Sequence, residues 1–403
     1  MPNYTVKLSE NIAGIILNQE FSLSFINNDG FFDKGWDIFN TPAILYKSIV
    51  DKPEYSDFKM IRSGIVKSIR KQFNNFLIDV SDLLATFEES VCTLIDQKDF
   101  AFTLDEEAVG KPIPVIFGIE KINVQKLGNN VILIAEYSRS IELFNKDGQP
   151  VSFDILSYKP SLIQVSEDDY EDADYAIVEG YENNKIGEII KNLTSRNNRI
   201  IYSSSFWNTD ESDRYISHSP VINIMFSGGD IKKAVDDTLK NDMAYLIQQT
   251  DGKLNIRKWG ESYKKHYLEP WQITKEFEID YSKAVENYFS TCCILYDKDK
   301  NFIFDNFKNE AELRYRNLKT KTYETDLINF SAAENLAVLL GKRYIFMKPV
   351  IKLSLGTDTS SYELLHTVNI HLNINNRLFT EYENYVIIEI NHAQDVLTLE
   401  AVD

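Results

Sequence analysis

Residues 230–259 read DIKKAVDDTLKNDMAYLIQQTDGKLNIRKW, and the change of hydrophobic period inside them sets the expected fold. Asp230 stands where a helix cap belongs. Behind it Ile231, Val235, Leu239, Met243 and Leu246 recur at helical spacing, which predicts one apolar stripe on a helix running to about Gln249. Each such side chain, once buried, supplies roughly 1.5–3 kcal/mol before conformational entropy is charged. Asp251-Gly252 supplies a turn, and Lys253 to Trp259 then reads as a strand.

Strand patterns dominate downstream. Glu276 to Tyr281 and Phe289 to Tyr296 are two such passages, and Asp297–Asn301 turns the chain into Phe302-Ile303-Phe304. Ser331 and Glu334 have capping-box spacing for a helix bearing Leu336, Leu339, Leu340 and Tyr344. After Pro349 four alternating strands follow, around Ile351–Leu355, Val368–Leu372, Val386–Ile390 and Leu397–Ala401. Four strands with one apolar face predict a small sheet or barrel. The last strand lies almost at the final residue, so no further module is expected after it.

Upstream, Phe21, Leu23 and Phe25 alternate before an Asn27–Gly30 turn. Gly64–Ile69 and Phe76–Val80 read as paired strands around Gln72–Asn75, with Ser81 as the cap of a short helix. In Gly110–Gly118, Pro112 and Pro114 fix φ and remove two donors, so this segment is expected to be a linker that becomes an edge strand. Asn145–Gly148 is a hairpin signal. The acidic run Ser166–Asp174 reads as a solvated loop; it lacks the glycine and the spaced bidentate carboxylate of a calcium loop.

The reading is therefore mainly β with some helices (α+β), arranged as several small β-barrel or sandwich domains. The expected ranges are 1–110, a β-rich N-terminal domain; 111–225, a β-rich connector; and 226–403, an α+β domain closing in a small β-barrel. A length of 403 residues suits two to four domains.

Composition narrows the function. With 43 Lys+Arg against 61 Asp+Glu, the formal net charge is −18, which disfavours broad nucleic-acid binding and docking on anionic membranes. Apolar residues make up 43%, enough for real cores. Three cysteines, Cys92, Cys292 and Cys293, do not make a disulfide framework and read as buried apolar residues. No secretory signal or membrane-spanning run is visible, so synthesis in a reducing cytosol and no membrane insertion are expected.

The motifs of phosphate loops, dinucleotide folds, zinc proteases and serine hydrolases are missing. Asp297, Asp299 and Asn301 imitate the start of an EF-hand, but Phe302 and Lys308 occupy the positions that need Gly and Glu. His366 and His371, five apart on an expected strand, should face opposite sides. Tyr202–Trp207 and Trp259–Trp271 are aromatic-rich and read first as packing, with sugar stacking as the functional alternative. Lys264, Lys265 and His266 form a basic island open to a partner contact. The expectation is a non-enzyme with no catalytic, cofactor-binding or metal-binding residue and no cofactor.

The last third resembles the hub proteins of bacteriophage tail baseplates. The resemblance rests on the order of parts: Ala244–Ile256 around the Asp-Gly turn, the passage Asn287–Tyr296, the helix Ala332–Arg343 ending in Lys348-Pro349, and the closing strand Asp395–Glu400. Val109–Gly118 is similar to a phrase of phage tail proteins. The resemblance implies a ring-forming homo-oligomer in the virion tail, assembled in the host cytoplasm: a trimer, with a hexamer as the alternative. It implies neighbours among the distal tail ring, tape measure, and fibre or tip proteins, with DNA passing transiently through an acidic lumen. A distal tail ring protein, a carbohydrate-binding or carbohydrate-degrading tail protein, and a subunit of a phage-derived injection particle are the alternatives.

Overall fold

The computed structural model describes residues 5–7, 13–16, 21–26, 38, 41–48, 54–72, 75–197, 200–274, 278–370, 384–392 and 394–402. The chain is mainly β with several helices, and its strands fall into separate sheets.

Near the N-terminus, Phe21–Ile26, Asn75–Ser81, Lys59–Gln72 and Pro42–Lys47 form one antiparallel sheet in that order. Gln72 pairs with Asn75, and the two residues between them, where the turn is expected, lie outside the described residues. Val66, Ile78 and Val80 form the buried centre of this sheet. The Asn27–Gly30 turn lies outside the described residues. The short helix expected after Ser81 is a 3-10 turn, Leu83–Thr86, and Asp82 precedes it without capping it. Asp82 is committed elsewhere, to a buried ion pair with Arg62.

Two four-stranded antiparallel sheets follow. One runs Asp154–Tyr158, Ser161–Gln164, Val131–Ala135, Gln125–Gly128; the other runs Pro150–Val151, Ser140–Asn145, Ala173–Glu179, Ile119–Asn123. They share a core that includes Ile122, Ile132, Ile134, Leu143, Ile163 and Val178. The acidic run is not a loop. Ser166 Oγ accepts from the Asp169 N–H at 3.2 Å and caps the helix Glu167–Asp172. Its carboxylates favour the positive end of the helix, and buried Tyr170 anchors it by accepting from the Gly128 N–H at 2.8 Å.

Val115–Phe117 pairs with Ile224–Phe226 in a two-stranded sheet, the edge strand expected after the proline pair. Strand alternation divides its side chains: Val115 and Phe117 join the largest core, and Ile116 joins the core of the middle sheets.

Asp230 does cap its helix, accepting from the Lys233 N–H at 2.7 Å. That helix, however, is Ile231–Leu239, and ends well before Gln249. Asn241 Nδ2 donates to the carbonyls of Asp237 and Thr238, both at 3.1 Å, and Met243 takes φ 50°, so the helix cannot continue. Ala244–Gln248 is a strand, forming a hairpin with Leu254–Lys258 across Asp251-Gly252 and pairing in parallel with Gly14–Ile15. All five residues of the expected stripe are nonetheless buried.

Thr291–Tyr296 is the centre of a three-stranded sheet between Lys300–Phe304 and Thr320–Glu324. Asp297 and Lys298 both take positive φ, the backbone of a tight hairpin turn. The helix Phe330–Tyr344 is capped by Asn329, whose Oδ1 accepts from the Ala332 N–H at 2.8 Å; Ser331 lies inside its first turn and is not the cap.

The last sheet has seven strands. Its order is Lys265–Leu268, Thr367–Ile370, Asn384–Asn391, Val396–Ala401, Val350–Ser354, Glu278–Asp280, with Thr5–Lys7 also paired to Asn384–Asn391. Among the described residues it is open, and no sheet closes into a barrel, contrary to the expected closing β-barrel. Closure would require the end strands to pair with each other; here they are four and three residues long, and among the described residues each is bonded on one side.

Candidate functional site: an aromatic-walled cleft and two sheet edges

The helix Ile186–Ser195 builds one wall of a cleft of about 530 Å³. Ile186, Ile189, Ile190 and Leu193 are buried in the core. Glu188, Lys191, Asn192 and Ser195, spaced three and four apart, line the cleft instead. The helix packs closely on its neighbour, Thr209–His218, because Gly187 has no side chain: a Cβ there would sit 2.5 Å from the Ile216 Cα.

The opposite wall is aromatic. Phe117 stacks on Tyr181 with ring centroids 5.3 Å apart, and Tyr181 stacks on Tyr137 at 5.0 Å. Beneath the ladder, Tyr181 Oη donates to Glu136 at 2.7 Å, and Arg196 clamps the same carboxylate through two nitrogens at 2.7 and 2.9 Å. Burial works against the Glu136 carboxylate, but the bonds from Arg196 and Tyr181 outweigh it and hold its pKa below the ordinary range. Burial, then the bond to Glu136, pushes the Tyr181 phenol well up, so the ring stays neutral. Asn192 Oδ1 accepts from Arg196 Nε at 3.2 Å, which turns the Asn192 amide nitrogen away from Arg196. At one end the Lys191 ammonium lies 4.3 Å from the Tyr202 ring centre. Lys159 and Glu182 complete the charged lining, giving two cations against two carboxylates.

Sequence reasoning marked Tyr202 in this cleft and missed the rest. Tyr137, Tyr181 and the 188–195 stripe come from different elements, and only the stripe has a local signal: its helical spacing.

The histidines gather elsewhere. His266 Nε2 and His366 Nδ1 are 3.0 Å apart, brought together by the parallel pairing of Lys265–Leu268 with Thr367–Ile370, which His366 immediately precedes instead of lying on the strand as expected, and His266 stacks on Tyr362. Burial lowers the pKa of His266 to about 4; burial, then Arg257, lowers that of His366 to about 2. His371, the expected opposite-facing partner, lies outside the described residues. Nearby Arg257 is held by Glu211 and Glu363 at 3.1 and 2.6 Å. Among the described residues no group of three or more His, Cys, Asp or Glu is placed to hold a metal ion. Cys92 and Cys292 are buried, Cys293 half-buried, and all three are free thiols. Trp207 and Trp259 are core residues, whereas Trp271 is 73% exposed. No helix among the described residues is long and apolar enough to cross a membrane.

Two sheet edges stand out by charge. The end strand Lys265–Leu268 presents exposed Lys265, next to exposed Lys264. At the other end of the same sheet, Glu278 and Asp280 are exposed on Glu278–Asp280. In the middle region the edge strand Asp154–Tyr158 exposes Ile155 by 42%, Leu156 by 50% and Tyr158 by 50%.

No family model matches the sequence, and no curated protein matches it. Solved structures do resemble the chain. A tail protein from Neisseria meningitidis MC58 aligns over 99% of this chain and 91% of its own, at 9% identity and a TM-score of 0.47. The 43 kDa tail protein of prophage MuSo2 from Shewanella oneidensis aligns over 100% and 93%, at 10% identity and a TM-score of 0.46. A chain of the virion of the native gene transfer agent particle aligns over 75% and 86%, at 10% identity and a TM-score of 0.45. These are tail and virion proteins. Identities of 9–10% make this a distant likeness of chain path.

Proposed function

We propose that the chain is a structural component of a phage or phage-derived tail tip: a baseplate hub protein that forms a ring and joins the tail tube to tip or fibre proteins. The observation that carries the reading is the pair of oppositely charged edges of the seven-stranded sheet, both open among the described residues. Exposed edge strands invite pairing. A basic edge at one end and an acidic edge at the other suit a head-to-tail contact between copies, and such contacts close into rings when the rotation permits. The apolar edge strand Asp154–Tyr158 supports the same reading, since exposed apolar strands are a hazard on a solitary protein. The ranges 1–110, 111–225 and 226–403 serve as its working parts. A net charge of −18 suits a channel wall that DNA must not adhere to, with a repulsive reach of about 8 Å at physiological salt.

The test is the size of the purified particle by sedimentation and electron microscopy. A ring, three-fold in the leading form, is expected. Reversing Lys264 and Lys265 to Glu should weaken it, and adding Glu278→Lys and Asp280→Lys should restore it. A monomer at all concentrations defeats the reading. A six-fold ring favours the distal tail ring instead.

A further inference from the structure

We propose that the cleft between the helix Ile186–Ser195 and the Phe117–Tyr181–Tyr137 ladder is a binding site for an uncharged oligosaccharide. This goes beyond the assembly role and does not depend on it.

Three features of the cleft select that ligand class. The first is the pairing of unlike walls. Tyr137 ends a continuous stack, with ring centroids 5.0 and 5.3 Å apart along it, so its outer face is a rigid apolar platform of the kind that packs against the C–H face of a sugar ring. Facing it is a stripe of polar groups from one helix, Glu188, Lys191, Asn192 and Ser195. A pyranose has this same division, with apolar faces and a hydroxyl rim that both donates and accepts. A wholly apolar ligand would strip water from the Glu188 carboxylate, the Lys191 ammonium and the Asn192 amide nitrogen and give no bond in return.

The second feature is charge balance. Two lysines and two glutamates line the cleft, and the two neighbouring arginines are already committed, Arg196 to Glu136 and Arg139 to Glu179 and Glu182. A phosphate or polyanionic ligand would find no net attraction here, and the chain as a whole carries −18.

The third feature is preorganisation. The Glu136–Arg196 clamp holds Tyr181 by its hydroxyl and, through Arg196 Nε, orients the Asn192 amide, so one half-buried ion pair fixes two residues that line the cleft. Less ordering is then left for the ligand to impose. At about 530 Å³ the cleft has the size of small-molecule sites.

The experiment titrates the full chain with cellopentaose, maltopentaose and chitopentaose, with pentagalacturonate as the acidic comparator, by calorimetry and heteronuclear NMR. At least one neutral pentamer is expected to bind saturably, in preference to the acidic one. Tyr137→Ala removes only the outermost ring and should weaken binding by roughly tenfold, while Tyr137→Phe retains it. Ser195→Trp, at an exposed position on the opposite wall, should fill the cleft and abolish binding with the melting temperature kept. The proposal is overturned if none of the neutral pentamers binds at millimolar concentration, if the acidic pentamer binds more tightly, or if Tyr137→Ala and Ser195→Trp bind as the parent does. Ring assembly is read separately, so a failure here leaves the hub reading standing.

Discussion

Asn329 and Ser331 show how narrowly a cap is defined. Both are good capping residues, and Ser331 has the Glu334 partner that a capping box needs, yet Asn329 makes the bond to the Ala332 N–H. Asn329→Ala should therefore cost about 0.5–2 kcal/mol in chemical denaturation, and Ser331→Ala only a few tenths. Equal losses from the two would contradict the assigned cap. The buried histidines make a second prediction at this scale. Burial lowers the pKa of His266 and His392 to about 4, below the unfolded value of 6.5, so the folded state favours their neutral forms. Their contribution is complete above about pH 6.5 and is lost as pH falls towards 4. Asp242 and Asp326 oppose them: burial raises the pKa of Asp242 to about 6 and raises that of Asp326, so acidification relieves part of their cost. With His366 also favouring the neutral form, the three histidines outnumber the two carboxyls, and the melting temperature should be lower at about pH 4.5 than at pH 7. An unchanged midpoint would count against this balance.

Among the elements, the 231–248 segment is the informative case. Its five apolar positions are all buried, as a helical stripe demands, yet Leu246 lies on a strand and Met243 in the bend between strand and helix. Apolar spacing reports which side chains go inside; it does not report that Asn241 ends the helix by bonding its last carbonyls. Gly187 illustrates the opposite relation, where tertiary contact overrides local preference. Alanine is the better helix former by about 1 kcal/mol, but a Cβ at 187 would meet the Ile216 backbone. Gly187→Ala should destabilise by about 1–3 kcal/mol through forced separation of two helices. It should also disturb the cleft lined by the same helix, visible as NMR shifts at Lys191 and Asn192.

For the whole molecule, distant segments are tied by a few buried ions. Arg343, on the helix Phe330–Tyr344, bonds both oxygens of Glu400 in the last strand at 2.8 and 2.9 Å, and Tyr245 Oη in the central hairpin at 2.8 Å. Glu400→Ala leaves that cation buried and unpaired, and a loss of about 3–5 kcal/mol is expected by denaturant titration. A loss under 1 kcal/mol would mean the cation finds water or another partner. The same tying of segments limits what sequence can reveal. The seven-stranded sheet joins Thr5–Lys7 to strands almost 400 positions later, and no local pattern encodes that pairing.

The sequence by itself determined the mainly β character, the hairpins at 145–148 and 297–301, the Asp230 cap and the burial of the five apolar side chains from Ile231 to Leu246. Each of these follows from turn chemistry or from the period of apolar spacing, which act within a few residues. Only the tertiary structure decided that the last sheet is open among the described residues, that the acidic run is helical, that His266 meets His366, and that an aromatic ladder and the polar stripe of one helix line one cleft. Those outcomes depend on which surfaces exclude water together, and that is settled between segments far apart in the chain.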